Sequence, residues 1–475
     1  MESLNAYFAM IPPSLLKEFS GTIADFIKVY QSDKFLSEEA LIQRFCGTKH
    51  NRQYYFDVKK RVIEAMQLLI LRINIDGHSP LKKKYFDCQK RFLAAQKILA
   101  SNHQNEGIRI IRSLYRTAIE HDFTHLCCEL ASLLHRHHVY HKPNKAKELQ
   151  YSKLVQEHIS DYTAEKEIQR IFFRLVRAMD VSTVSTKQIG ETMSQIRCLS
   201  GRTLQSRILT ATVSIFYYLR CQDYPSIINI CQEVLYKIEK KQGIYSGYYF
   251  TYHYKLGIIQ MATKSYPAAA TAFQNAAPYA SRGSFNAAIL QLYNTLLALH
   301  RADYITAYNM YKQYRNTKHE LIAQQFTIMG AYFCYLHHTG ILSAGQRFRL
   351  GKYLNETLTV QADKQGGNIN VLIAKLLVYL VRDRDAYIDA VENVQHYAYR
   401  HLRTPDTLRA KRFLKILCLL PKANFNAIAL QRLGERHIQF LKESPVSVRA
   451  NFTIEIIPFD DLLHLIMQQL QRKRA

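Results

Sequence analysis

Residues 264–276 read KSYPAAATAFQNA, and the proline directly after a tyrosine marks a helix start in this stretch. Proline is well tolerated in the first turn of a helix, because the N–H that it lacks has no intrahelical partner there. The alanines at 268–270 allow a neighbouring helix to approach closely, and Phe273 and Ala276 continue the same face. The stretch therefore predicts the second helix of a helical hairpin.

Related stretches recur along the chain, each with an aromatic residue in a turn followed by small or apolar residues at helical spacing. The aromatic residues are Tyr224, Tyr266, Tyr304, Tyr387 and Phe425, at intervals of 42, 38, 83 and 38 residues. The interval of 83 spans about two periods, with a degenerate unit near residues 339–350. Weaker copies contain Gly107 and Ala146.

The repeat resembles the tetratricopeptide repeat (TPR). That family's pattern asks for Leu-Gly in the first helix, an aromatic residue in the turn, and Ala, Phe and Ala in the second helix. One unit meets all six positions, with Leu256, Gly257, Tyr266, Ala269, Phe273 and Ala276. Other units match in part, since Ile227 stands where Ala is expected and Asn294 and Thr295 replace Leu-Gly. The period of about 40 residues exceeds the usual ~34, which indicates longer helices or turns.

The resemblance implies an all-α fold, a right-handed α-solenoid of about ten hairpins whose units bury their faces only by stacking. Second helices are expected to begin near Pro225, Pro267, Ile305 and Ile388. The scarcity of glycine (17) and proline (11) also favours helices over a turn-rich all-β fold. Unrelated helical hairpins of similar length are the alternative.

The chain is expected to contain a repeat array between two distinct ends. The predicted segments are an N-terminal helical cap (1–78), degenerate TPR-like repeats (79–180), a linker or long turn (181–204), TPR-like repeats (205–440) and a C-terminal capping segment (441–475). The linker follows from the Ser and Thr residues of DVSTVSTKQIGETMS. The cap contains two helical patterns, one with a Ser-initiated start at LSEE, and a helix-turn-helix-like unit is its alternative.

The charge of the chain predicts affinity for anionic partners. Lys and Arg number 64 against 38 Asp and Glu, a net charge of +26. Such a charge attracts nucleic acid, anionic lipid or acidic protein surfaces, although basic charge spread over a long array also serves solubility alone. The odd count of nine cysteines without CxxC favours reduced thiols and a cytoplasmic protein. We expect neither a signal peptide nor a membrane span.

The sequence contains none of the common catalytic templates. There is no GxxxxGK[ST], GxSxG or HExxH, so we predict a protein that is not an enzyme and that uses no cofactor. The stretch LLHRHHVYH (133–141) places His138 and His141 on one side of a helix, where they could share a metal. No acid or cysteine stands at complementary spacing, so a connecting turn with surface histidines is predicted instead of a metal site.

Two basic stretches are candidates for binding anions. One is LKKKYFDCQKR (81–91), and the other is YAYRHLRTPDTLRAKRFLK (397–415). Basic residues among aromatic ones can bind phosphates and stack bases, but the alternation with apolar residues also suits an ordinary amphipathic helix. The candidate residues of the second stretch are Arg400, Arg403, Arg409 and Arg412.

The TPR resemblance also implies a peptide groove lined by the first helix of each unit. Carried over onto this sequence, the groove residues are Phe216, Arg220, Tyr254, Ile258, Leu296 and His300. Their mostly apolar character predicts a hydrophobic peptide, a partner helix, or burial by an extra helix of the chain itself.

The leading functional hypothesis is a non-catalytic scaffold that binds a protein or peptide partner through its concave helical face. The second is a basic helical-repeat protein that binds nucleic acid or acts as a regulator. An enzyme of an unfamiliar kind is third.

Overall fold

A computed structural model describes residues 2–32, 37–47, 52–73, 79–181, 184–199, 201–239, 243–342, 368–448 and 454–472. Across these ranges it contains 22 α-helices, one π-helical turn and one 3-10 turn, with no strand beyond a single bridge between Val448 and Ile454. The prediction of an all-α fold is confirmed. The chain divides into two compact units, Met1–Ser152 and Lys153–Ala475.

The first unit begins with five helices that surround a hydrophobic core of their own. They are α1 (Glu2–Met10), α2 (Pro13–Leu16), α3 (Gly21–Ser32), α4 (Glu38–Cys46) and α5 (Arg52–Ile70). Phe26, Tyr55 and Val58 are among the fully buried residues of this core. Ser37 begins α4 as the sequence predicts, because its hydroxyl accepts a hydrogen bond from the Ala40 N–H at 3.2 Å.

Three further helices of the first unit pack in sequence, each against the next. They are α6 (Pro80–Ala100), α7 (Gln104–Glu120) and α8 (Thr124–Arg136). A π-helical turn, His137–His141, follows α8 directly. The long helix α9 (Lys145–Val181) begins in the first unit and ends in the second.

The second unit continues the succession of helices, and most of them contact their neighbours in sequence. They are α10 (Thr186–Cys198), α11 (Leu204–Cys221), α12 (Tyr224–Ile238), α13 (Ser246–Ala262), α14 (Tyr266–Ala276), α15 (Phe285–His300), α16 (Tyr304–Tyr314), α17 (Glu320–His338), α18 (Ile369–Arg382), α19 (Arg384–His401), α20 (Pro405–Leu419), α21 (Ala427–Glu443) and α22 (Phe459–Arg472). Most of the degenerate unit, residues 343–350, lies outside the described residues.

The segment predicted as a linker or long turn, residues 181–204, contains helix α10. Ser185 begins this helix with a capping box: its hydroxyl accepts from the Gln188 N–H at 3.2 Å, and its own N–H donates to Gln188 Oε1 at 2.8 Å. Thr192 and Ser194 direct their hydroxyls to carbonyl groups one turn earlier. Hydroxyl-rich sequence is therefore compatible with a helix here, because each hydroxyl has a local backbone partner.

Four turns of the second unit repeat one backbone conformation. A residue one or two positions after each helix end is left-handed, at Gln222, Lys264, Ala302 and Gly340, with φ of 57°, 56°, 57° and 76°. The N–H of the following residue donates to the carbonyl five positions earlier at 2.8–3.0 Å. This is the bond of a Schellman turn, and it satisfies carbonyls that a helix end leaves open. Positions 222, 264, 302 and 340 are 42, 38 and 38 residues apart, which is the period of the sequence repeat.

The turn explains the tyrosine that opens each second helix. Helices α12, α14 and α16 begin at Tyr224, Tyr266 and Tyr304, two residues after the left-handed position. These starts lie within one residue of the predicted ones. The later copies differ: α19 begins at Arg384, four residues before Ile388, and Phe425 lies in a turn with φ of 53°.

The six TPR-pattern positions pack the hairpin of α13 and α14. Gly257 faces Phe273 so closely that a Cβ at position 257 would lie 2.4 Å from Cε1 of the ring. Ala269 and Ala276 are fully buried. Glycine and alanine are therefore required here because larger side chains would separate the two helices.

Gly257→Ala is expected to destabilise the protein by roughly 1–3 kcal/mol, because the new methyl group overlaps the Phe273 ring. The matched control is Gly247→Ala in the same helix, where a Cβ would meet no atom within 4 Å. Urea unfolding followed by circular dichroism measures both. Equal stability of the two variants would show that α13 and α14 are not held at this close distance.

Candidate partner-binding surfaces

The six predicted groove residues lie on α11, α13 and α15, and the structure separates them into two groups. Phe216 and Tyr254 are half-buried and keep some access to solvent. The other four are buried: Arg220, Ile258, Leu296 and His300. These four side chains are therefore buried in contacts within the protein.

One of these four residues, His300, contacts the later part of the chain, and we call residues 444–448 and 454–472 the closing segment. His300, the last residue of α15, has Nε2 2.7 Å from the backbone carbonyl oxygen of Glu455. Tyr224, at the start of α12, donates from its hydroxyl to the Val446 carbonyl at 2.8 Å and accepts from the Val448 N–H at 3.0 Å. A segment remote in sequence thus bonds to two of the repeated turns.

Two further turns are bonded to the same segment. Lys264, the left-handed residue after α13, donates from Nζ to Asp460 Oδ2 at 2.6 Å. Arg472, at the end of α22, donates to the Thr339 carbonyl after α17 at 3.4 Å. The closing segment therefore contacts the turns that follow α11, α13, α15 and α17.

Arg409 joins the closing segment to α20 from within the core. Only 2% of this side chain is exposed, so it is not the surface residue that the basic-patch prediction requires. Its Nε donates to Glu455 Oε1 at 2.7 Å, and its Nη2 donates to Asp460. Its Nη1 donates to the carbonyl oxygens of Leu441 and Ser444 at the end of α21. One guanidinium thus connects three helices.

The two acids that accept hydrogen bonds from Arg409 also accept hydrogen bonds from other groups of the protein. Glu455 also accepts from the N–H groups of Phe459 at 2.8 Å and Ser447 at 3.4 Å. Burial alone would raise the pKa of Asp460, but Lys264 and Arg409 outweigh it and hold that pKa below its ordinary value. A buried charge is tolerated when its partner and its hydrogen bonds are complete, and here they are.

A second buried ion pair connects α11 to α20 within the second unit. Arg220, at the end of α11, donates to Asp406 Oδ1 in α20 at 3.1 Å, and the two residues are 186 positions apart. Ser447 of the closing segment donates to the Asp406 carbonyl and accepts from Gln222 at 3.1 Å. The predicted groove residue Arg220 therefore has an internal role.

Arg409→Met is expected to destabilise the protein by about 3–5 kcal/mol, because it leaves the buried Glu455 without its cation and leaves Asp460 with Lys264 alone. The control is Arg403→Met at an exposed position on the same stretch, which should change stability by less than about 0.5 kcal/mol. Urea unfolding at pH 7 measures both. Adding Glu455→Gln and Asp460→Asn to Arg409→Met should recover part of the loss, whereas an unchanged loss would contradict the charge argument.

Stability should fall in mild acid because His300 is buried in its neutral form. Burial lowers the pKa of His300 to about 4, against about 6.5 in an unfolded chain. Between these values only the unfolded chain takes up the proton, so the free energy of unfolding decreases as pH falls. The expected contribution is a loss of about 2 kcal/mol between pH 7.5 and pH 5.

The contribution of His300 is isolated by comparison with His300→Gln, which retains an N–H donor for the Glu455 carbonyl. Urea unfolding of both proteins at pH 7.5 and pH 5 gives the difference, in which the other histidines cancel. Equal pH dependence in the two proteins would show that His300 is not the group that titrates.

The remaining residues of the predicted basic patch have different surroundings. Arg400 and Arg403 are exposed near the end of α19, and the Arg403 guanidinium lies over the Tyr399 ring at 5.7 Å. Arg412 is half-buried, with Nη1 3.0 Å from Nδ1 of His437 and the guanidinium 5.3 Å from the Phe440 ring centroid. The structure therefore keeps three of the four arginines outside the core.

A wider cluster of cations covers the outer side of α20 and α21, and we call it the basic surface. It comprises Lys411, Arg412, Lys415, Arg432 and Arg436. Burial, followed by the charges of Arg412, Lys415 and Arg436, lowers the pKa of His437, so these groups lie close together. Lys411 and Arg432 stand one helical turn from Lys415 and Arg436.

The cations of the basic surface lie close together and are not neutralised by carboxylates in the described part of the chain. Among the described residues, none of its five members forms an ion pair with a carboxylate, unlike Arg409 and Arg220. Two large apolar side chains of α21 are exposed as well, Ile428 at 70% and Leu433 at 53%. The helix pair thus presents both unpaired charge and apolar area to solvent.

The histidine-rich stretch is partly internal, which the sequence prediction of surface histidines does not anticipate. His137 and His138 are buried in the π-helical turn. Within the described ranges, no group of three or more His, Cys, Asp or Glu side chains is arranged to hold a metal ion.

Glu455 and Tyr224 belong to the internal network, and neither is predicted from the sequence as part of it. Glu455 is the single acid in the otherwise apolar run FTIEIIPF, and an isolated charge in such a run indicates a buried partner. Tyr224 was assigned to the turn, but its hydroxyl also needs a polar partner once buried, which only the folded chain supplies.

Comparisons of the chain with models of protein families, with curated proteins and with solved structures found no match. In the described part of the chain, no helix combines the length and the apolar character that crossing a membrane requires.

Proposed function

We propose that the protein is a non-catalytic, TPR-like α-solenoid scaffold that binds an acidic segment of a partner protein. The left-handed turns at 222, 264, 302 and 340 support the repeat, because they recur at its period. The packing of Gly257 against Phe273 supports the TPR resemblance at the positions where that family needs small residues. A right-handed superhelix and a cytoplasmic location belong to the same proposal.

The unpaired cations of the basic surface are the observation that supports an acidic partner. Like charges held close together repel one another, so five cations without a carboxylate destabilise the free protein slightly. An acidic partner removes this repulsion and gains charge-assisted hydrogen bonds from the arginines. Complementary charge also speeds association and makes it sensitive to salt.

The apolar residues on α21 favour a protein partner over nucleic acid. Ile428 and Leu433 lie on the same helix as Arg432 and Arg436, so apolar and basic groups alternate along its exposed side. An amphipathic acidic peptide offers groups for both, whereas a phosphate backbone offers only charge. The partner of this surface is therefore proposed to be an acidic helix with apolar residues at helical spacing.

The concave face is the less favoured location for the partner. Four of the six predicted groove residues are buried in contacts within the chain, which leaves Phe216 and Tyr254 as accessible members. A partner on that face would have to displace the closing segment or use a narrow remainder of the surface.

Fluorescence anisotropy with defined probes tests the proposal. The probes are an amphipathic Glu/Leu peptide, the same peptide with Leu replaced by Gln, and single-stranded oligo-dT. We expect the Glu/Leu peptide to bind most tightly, and Lys415→Glu with Arg436→Glu to weaken it by at least about tenfold, since charged contacts are lost. The melting temperature of this variant should stay constant or rise, because repulsion is relieved.

The matched control is Lys187→Glu with Arg197→Glu, which makes the same charge change at exposed positions of α10. It should bind the peptide almost as tightly as the unmodified protein. Leu433→Ser should weaken only the peptide that contains leucine. Tighter binding of oligo-dT than of the peptide, with steep salt dependence, would overturn the proposal in favour of nucleic-acid binding.

A further inference from the structure

The first unit contains a cavity, and none of the residues that line it belongs to the basic surface. Its volume is about 410 Å³, within the range of small-molecule sites. Its walls come from α6, α7, α8 and the π-helical turn. Leu99, Ala100, Ile108 and Leu133 supply the apolar part of the lining. The polar part consists of Gln96, Gln104, Glu129, Arg136, His137 and His141.

His137 is the unusual member of this lining. The side chain is only 5% exposed, and its buried Nδ1 has no hydrogen-bond partner among the described residues. A buried polar atom without a partner costs free energy, so it requires an explanation, and a bound ligand is one. The ring stacks beside that of His141, with centroids 6.1 Å apart.

The π-helical turn is what brings these two histidines to the cavity. His137–His141 has i→i+5 hydrogen bonding, as in the bond from the Lys142 N–H to the His137 carbonyl at 2.9 Å, and such turns are frequent at functional sites. The N-terminal end of α7 also reaches the cavity through Gln104, and His103 before it makes no side-chain cap. Positive partial charge from that helix end therefore adds to the site.

The charges around His137 indicate the sign of a ligand. Beside burial, the groups that lower the pKa of His137 are His138, Arg112, His141 and Lys142, and all four are basic. Arg136 at the exposed edge of the cavity forms no ion pair within the described residues. Glu129 is the one acid in the lining, and it too lies at the exposed edge.

We propose that this cavity binds a small organic anion, with its carboxylate or phosphate group near Arg136 and His137 and its apolar body against Leu99, Ile108 and Leu133. An inorganic anion alone would leave most of the cavity and its apolar walls without contact. Both the charge and the apolar body therefore contribute to binding.

Isothermal titration calorimetry of the full chain with five probes tests the site. Benzoate and phenyl phosphate carry both features, inorganic phosphate carries only charge, and benzyl alcohol carries only the apolar ring. The fifth probe, benzylamine, reverses the charge. We expect one molecule of benzoate or phenyl phosphate to bind per chain, at least about tenfold more tightly than the other three. The stronger of the two identifies the acid group as carboxylate or phosphate.

Arg136→Gln and His137→Leu should each weaken the better probe by about tenfold, which corresponds to the loss of one charged or buried hydrogen bond. Arg116→Gln is the control, because it removes an exposed cation of α7 that does not line the cavity. Arg136 is exposed, so its variant reports on binding even if His137→Leu alters folding. Equal binding of benzoate and benzyl alcohol, tighter binding of benzylamine, or no binding at all would overturn the proposal.

Discussion

The guanidinium of Arg409 is the contact on which the second unit depends. It bonds at once to Glu455, to Asp460 and to the carbonyl groups that end α21. Arginine suits this position because its planar group offers five donors in fixed directions, and lysine could not meet acids and carbonyls on several sides. The hydrogen bonds of Arg409 fix the position of the closing segment. In that position the segment also bonds to Tyr224, Lys264 and His300.

The sequence predicts the local structure well because local structure has local causes. Tyr266 and the proline after it identify a helix start, and the turn before them needs only the backbone bonds of neighbouring residues. Gly257 is recognisable because the position opposite it holds a phenylalanine in the TPR pattern. Each of these features depends on residues within one hairpin.

The candidate site could be predicted only in part, because its properties arise from pairs that are remote in sequence. Arg409 and Arg412 look alike in the stretch 397–415, yet one is buried between two acids and the other meets His437. Helical spacing places Arg409 and Phe413 on the same side, and this pattern does favour an inward position for Arg409. The acids that neutralise Arg409, however, follow it by some 50 residues in the sequence. They approach it only when the closing segment packs against α20, and no local sequence pattern indicates that packing.

The long-range bonds of the closing segment set an order of events for the nascent chain. The hydrogen bond from Tyr224 to the Val446 carbonyl cannot form until Val446 has been synthesised. The two residues are 222 positions apart, which takes roughly 10–45 s at usual rates of translation. During that interval Tyr224, Lys264 and His300 lack the hydrogen-bond partners that the closing segment later supplies. The helices of the second unit can form as they emerge, but their bonds to the closing segment form only after that segment has been synthesised. Partly assembled intermediates with hydrophobic surface still to be buried are the species that chaperones shield during translation.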